Sequence, residues 1–134
     1  MSLSNSQNVT ILAFDFGLKR IGVAVGNTFL KQAQALTVIS AESNNAKFDA
    51  IAALLKEWQV THCVVGFPSH PDGVEHEMSA RCRRFANQLE GRFGVSTTLV
   101  DERYTSAVIP SKRGDIIDAL SAELILQQYF DETS

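Results

Sequence analysis

At 134 residues, 45% of them apolar and with no long polar tract, the chain suits one compact domain with a real core, residues 9–134, behind a flexible tail of residues 1–8. Its formal charge of -3, from 12 Lys and Arg against 15 Asp and Glu, argues against indiscriminate nucleic-acid binding, since broad phosphate binders are basic overall. No run approaches the roughly 20 apolar residues that cross a bilayer, the start lacks the regions of a secretion signal, and Cys63 and Cys82 lack metal-site spacing or disulfide-scaffold density, so the expectation is a cytosolic protein with reduced, packing thiols.

In chain order, Val9 to Asp15 and Ile21 to Gly26 read as two apolar strands joined by a tight turn, and Gln34 to Ser40 as a third. Ser43 and Asn44 are candidate caps of a helix whose core face takes Phe48, Ile51, Ala52, Leu55 and Trp58. His62 to Phe67 is a buried strand, and Pro68 to Gly73 is a loop with two prolines and an Asp-Gly turn. Met78, Cys82, Phe85, Ala86 and Leu89 repeat at helical spacing, which predicts an amphipathic helix over 75–91 with Arg81, Arg83 and Arg84 on its other faces; Gly94 ends that unit. Val95 to Val100 has the β-branched content of a strand, and Ile116 to Phe130 the dense apolar pattern of a closing helix with Asp118 in its first turn. A meander followed by alternating strands and helices predicts an α/β fold: a mixed five-stranded sheet, its later strands parallel, with helices on both faces.

Three acidic points stand at element ends: Asp15 after the first strand, Asp101 or Glu102 after the last, and Asp118 on the closing helix. A carboxylate leaving a buried strand is held on a rigid element and can face a metal ion or a phosphate. If the first and last strands are near neighbours, the three acids converge at one rim. Two or three carboxylates suffice for Mg²⁺ or Mn²⁺, and such ions activate water and stabilise a leaving oxygen in phosphodiester cleavage. The plainer alternatives are a turn aspartate at 15, a macrodipole partner at 118, and pairing of Asp101 and Glu102 with Arg103. Gly17 allows backbone geometry closed to other residues, and Gly22 and Gly26 remove side chains where another backbone or a ligand approaches closely.

Arg103 is placed to contact a phosphate or orient a carboxylate with its planar fork, a surface ion pair being the alternative. Lys19 and Arg20, the arginines at 81, 83 and 84, and Lys112 with Arg113 read first as solvated clusters. His62, His70 and His76 lack zinc-hydrolase spacing, and Ser69 and Ser79 sit in no nucleophile elbow.

Taken together, several segments resemble the YqgF/RuvX family, bacterial proteins of the RNase H-like fold related to the Holliday-junction resolvase RuvC. The carrying motifs are Phe14-Asp15-Phe16-Gly17 with Lys19 to Ala24, Val64 to Pro68, Asp101-Glu102-Arg103, Ile117 to Ala122, Arg84-Phe85-Ala86 and Ile125 to Phe130. The resemblance implies a divalent-metal nuclease with its acidic roles on Asp15, on the Asp101-Glu102 pair and on Asp118. Strand alternation leans to Glu102 as the inward member of that pair, giving Asp15, Glu102 and Asp118 as metal ligands, while Lys19, Arg20 and Arg103 would contact phosphates. It further implies 5′-end maturation of pre-16S rRNA, or cleavage of four-way DNA junctions; end trimming needs only a monomer, whereas paired incisions in a junction favour a symmetric homodimer. Two departures stand out. Gly66-Phe67-Pro68 carries no acid where related resolvases place a glutamate, and the stretch from Tyr104 to Gly114 is short where the family has a longer loop and helix.

Two other readings compete with the nuclease. The Asp-x-Gly hairpin also resembles the first phosphate loop of actin-like ATPases, which would need a second phosphate loop and an adenosine pocket. The missing acid and the short loop also suit an assembly module that binds nucleic acid and cuts it slowly or not at all.

Overall fold

The computed structural model describes residues 9–17, 19–40, 43–67, 77–101 and 114–133. Among them run the strands β1 (Thr10–Asp15), β2 (Arg20–Asn27) and β3 (Gln32–Ser40), helix α1 (Asn44–Glu57), strand β4 (His62–Phe67), helix α2 (Glu77–Phe93), strand β5 (Ser96–Asp101) and helix α3 (Gly114–Thr133). The tail at 1–8 and the loop from Pro68 to Gly73 lie outside the described residues.

The five strands form one sheet in the order β3-β2-β1-β4-β5. The first three make an antiparallel meander, and β4 and β5 join β1 in parallel. The expected mixed sheet is therefore present. Each strand's alternation feeds two cores. Leu12 and Phe14 of β1, with Ile21, Val23, Cys63 and Val65, meet Phe48, Ile51 and Leu55 of α1 and Cys82, Phe85 and Leu89 of α2. Ile11 and Ala13, with Ala24, Val64 and Val100, meet Ala122, Ile125, Leu126 and Phe130 of α3 on the opposite face.

Helix α1 starts where the sequence placed it, with the Ser43 side chain accepting from the Ala46 amide. It ends earlier than the apolar spacing implies. Trp58 leaves the helical row at the C-cap, its amide donating to the Leu54 carbonyl, and stands 36% exposed. Helix α3 begins at Gly114, before the expected start at Ile116, which moves Asp118 into the second turn. That placement weakens a purely macrodipolar role, because the helix-end field fades within the first turn.

Helix α3 also protects an open edge. The amides of Ala33 and Ala35 on the outer strand β3 donate to the side chains of Gln127 (3.0 Å) and Glu123 (2.9 Å), and Gln127 in turn donates to the Lys31 carbonyl (3.1 Å). Side chains thus supply the hydrogen bonds that a sixth strand would otherwise offer. At the same end of the sheet, His62 of β4 lies 3.0 Å from the Thr98 hydroxyl of β5 and stacks on Tyr129 of α3, with ring centroids 5.7 Å apart. Burial holds the His62 pKa below its ordinary value, favouring the neutral ring in this contact.

Gly26 is required by this packing. A Cβ there would lie 2.6 Å from the Phe130 ring, 2.9 Å from the Leu126 side chain and 2.9 Å from the Gln32 carbonyl oxygen. The close approach anticipated at this glycine is therefore that of a helix. Gly26→Ala is expected to lower stability by about 1–3 kcal/mol, the usual cost of overpacking, as read from urea melts.

Both cysteines are free and buried. Burial pushes the Cys63 thiol up to about 12 from 9.0. Between those values the unfolded chain gives up a proton that the folded chain keeps, so this contribution is intact below pH 9 and is lost as pH rises toward 12. Thermal melts at rising alkaline pH are expected to show a decline in Tm that is shallower in Cys63→Ala.

Candidate functional site

The three parallel strands β1, β4 and β5 end at the same rim, at Asp15, Phe67 and Asp101. Phe14 is level with Val65, Val65 with Leu99, and Phe67 with Asp101, so the ends of β1 and β5 differ in height by one residue. Only β4 separates them, and two interstrand spacings amount to about 10 Å. The β1–β2 hairpin closes over this rim, with Asp15 opposite Gly22 and exposed Lys19 and Arg20 at its turn. Gly17 is obligatory there. A Cβ at 17 would stand 2.5 Å from the Arg20 carbonyl oxygen.

Asp15 is half-buried, and its parity on β1 is that of Ile11 and Ala13, which face α3. Helix α3 runs opposite to β1. Its Gln127 meets β3 at Ala33 and its Glu123 one step higher at Ala35, which is level with Ala24 and, through it, with Ala13. From that level Asp15 is two strand residues toward the rim, about 6.6 Å, and position 118 is five helical residues in the same direction, about 7.5 Å. Position 118 also falls one turn before Ala122 and two turns before Ile125, in the row that packs on the sheet. Asp15 and position 118 therefore share a face and a height, and position 101 ends a strand at the same rim.

The side chains of Asp101 and Asp118, and all of Glu102 and Arg103, lie outside the described residues. Among the described residues no three His, Cys, Asp or Glu side chains form a group fit to hold a metal ion. The acids anticipated from the sequence would supply oxygen donors only, a set suited to Mg²⁺ or Mn²⁺.

Behind the rim, on the face away from α3, sits a feature the sequence did not announce. Phe16 follows Asp15 directly and packs on Phe85 of α2 at 4.9 Å between centroids, and Phe85 also meets Phe14 edge-on at 5.6 Å. Lys47 of α1 lies over the rings of Phe48 (4.9 Å), Phe16 (5.6 Å) and Phe85 (6.0 Å) and is 8% exposed. Its pKa is lowered by burial and, secondarily, by the Arg92 guanidinium. Its spacing, four and eight residues before Ile51 and Leu55, was the available signal.

A groove of about 310 Å³ lies at the other end of the sheet, lined by Thr10, Val25, Leu30 and Trp58 among others. It shares no residue with the acidic rim.

A mixed sheet of this order, with an acid ending the central strand and a helix returning across that strand, defines the RNase H-like class. The structure of Thermus thermophilus RuvC in complex with a Holliday junction substrate has the same fold, with a TM-score of 0.56 and 13% identity over 93% of this chain and 95% of that one. The chain belongs to the RuvX family, whose model, described as Holliday junction resolvase, matches residues 9–132. Among its relatives, candidate pre-16S rRNA nucleases of Paraburkholderia xenovorans (strain LB400) and Burkholderia vietnamiensis (strain G4 / LMG 22486) are 46% and 47% identical. The matches cover all of this chain and 96% and 97% of those proteins. They run over 140 and 144 positions against 134 residues here, so the relatives carry at least 6 and 10 positions that this chain lacks.

Proposed function

We propose that the protein is a metal-dependent nuclease of structured nucleic acid, and that its substrate is the 5′ end of pre-16S rRNA. The carrying observation is Asp15, fixed at the end of the central strand on the face and at the height of position 118, in a chain similar over its whole length to candidate pre-16S rRNA nucleases. Asp15, Glu102 and Asp118 would hold Mg²⁺ or Mn²⁺. The parity of Val100, which packs on the α3 side, favours Glu102 over Asp101, because alternation returns to that side two residues on.

The bound ion would polarise the attacking water and offset charge on the leaving oxygen. The protein's own contribution is to set the acids on rigid elements and to position the strand to be cut. Lys19 and Arg20, exposed on the hairpin beside Asp15, would neutralise phosphates flanking the cut, with Arg103 adding a planar two-donor contact. We place this activity in the cytoplasm; among the described residues no helix is long and apolar enough to cross a membrane.

A second reading, cleavage of four-way DNA junctions, is favoured by the family's description and by the junction bound to the structural relative. Paired cuts in a junction would need a two-fold dimer, whereas end processing needs one copy. The deciding experiment incubates the protein with labelled precursor RNA and with a labelled four-way DNA junction, each with Mg²⁺, Mn²⁺ or chelator. Cutting of the RNA with either ion and none with chelator is expected. Cutting of the junction alone would reassign the substrate, and tight binding without cutting under any ion would leave an assembly module.

A further inference from the structure

Helix α2 concentrates positive charge in an acidic protein. It carries Arg81, Arg83, Arg84 and Arg92 against Glu77 and Glu90, a balance of +2, while the rest of the chain, with 8 basic and 13 acidic residues, stands at -5. Three of those arginines crowd into its first eight residues. Cys82, Phe85, Ala86 and Leu89 fill the core, and Arg83 and Arg84 are exposed beside them, with Arg81 half-buried.

Their place relative to Asp15 follows from the topology. Strand β4 ends at the acidic rim and β5 begins at the opposite end, so α2 between them starts near the rim and runs away from it. Phe85 is pinned to Phe16, the residue after Asp15, at 4.9 Å between centroids. Arg84 is thus at the height of that contact on the exposed side of the helix, and Arg81 is one turn nearer the helix start, about 6 Å along the axis from Phe85. Arg92 occupies the far end and lies over the Phe48 ring at 4.0 Å.

Asp15 is thus bracketed by basic groups, Lys19 and Arg20 on the hairpin and the α2 arginines across the sheet's other face. We infer that Arg83 and Arg84, with Arg81 beside them, form a second phosphate-holding surface, which grips the backbone of the nucleic acid on the side of the cut away from the hairpin. The inference rests on the nuclease reading for its substrate, although the contact itself needs neither metal nor cleavage. Arginine suits the role because its guanidinium stays charged and offers paired donors to phosphate oxygens. The contact is with backbone and not with bases, so it would hold RNA and DNA alike where their shape fits the rim.

The test measures binding in chelator, by fluorescence anisotropy, of precursor RNA and of a four-way DNA junction over rising salt. Each phosphate contact contributes about 0.7–0.9 to the slope of log affinity against log salt. The double variant Arg83→Gln/Arg84→Gln is expected to lose about 1.4–1.8 from the slope and roughly tenfold in affinity at moderate salt. Arg92→Gln should leave the slope unchanged, and Arg83→Lys/Arg84→Lys should restore most of it. Circular dichroism melts of all variants check that folding is retained. An unchanged slope in the double variant, or wild-type binding with no salt dependence, overturns the inference. Loss of the slope in a protein that never cuts under any ion supports the surface and refutes only the nuclease.

Discussion

Asp15→Asn is expected to abolish metal-dependent cleavage, by a factor of about 10² or more, while leaving fold and nucleic-acid binding in place. The substitution keeps side-chain size and removes the charge. Asp15 ends a strand whose preceding residues, Ile11 to Phe14, are all buried, so the core holds the backbone that carries it. The loss should therefore appear in the chemical step. Losses of this size correspond to about 2.7 kcal/mol or more of transition-state stabilisation. The measurement is single-turnover cutting of precursor RNA at several Mg²⁺ concentrations, with binding followed in parallel. Wild-type rates with the same metal dependence would sink the assignment of Asp15.

Phe85→Ala is expected to cost about 3–5 kcal/mol of stability, the usual range for emptying a buried phenylalanine site. Phe85 is 1% exposed and meets Phe14, Phe16 and Phe48, so it joins β1, the exit from β1 and α1 through one side chain. The surrounding rings are held by three different elements and cannot all collapse into the gap. A second effect follows from Phe16. With its packing partner gone, the segment after Asp15 is less fixed, and cutting at temperatures where the variant stays folded should fall as well. Urea unfolding gives the first number. Cleavage below the melting transition gives the second, and Phe85→Leu should recover most of both.

The β-strands were the most legible part of the chain. His62–Phe67 has the expected limits because an apolar run with β-branched residues, flanked by a polar stretch and a proline, leaves little choice. The helix ends were harder. Trp58 continued the apolar spacing of α1, yet the chain turns there and Gln59 takes φ 52°, a left-handed conformation that spacing does not encode. The start of α3 was displaced because Gly114 and Asp115 carry no apolar signal of their own. Asp15 was visible as an acid ending an apolar run, and its kinship with position 118 required the docking of α3, which is fixed by Gln127 and Glu123 on β3. Lys47 drew no reading from the sequence: its spacing before Ile51 and Leu55 puts it on the core face of the helix, but does not announce a cage formed by Phe16, Phe48 and Phe85. Those rings come from β1's exit, α1 and α2 and meet only once the layers are stacked.

The way α3 closes the structure has a consequence for how the protein comes into being. This helix touches all five strands, follows them all in the chain, and brings position 118 to the rim that ends in Asp15. A nascent chain in which β1 to β5 have emerged still has one face of its sheet bare and the edge of β3 unsatisfied. The face that carries Asp15 is complete only after the last of these elements is made. On the proposed reading, cleavage competence would arrive only once α3 has been made, and a chain lacking it would be exposed to aggregation before it could cut anything.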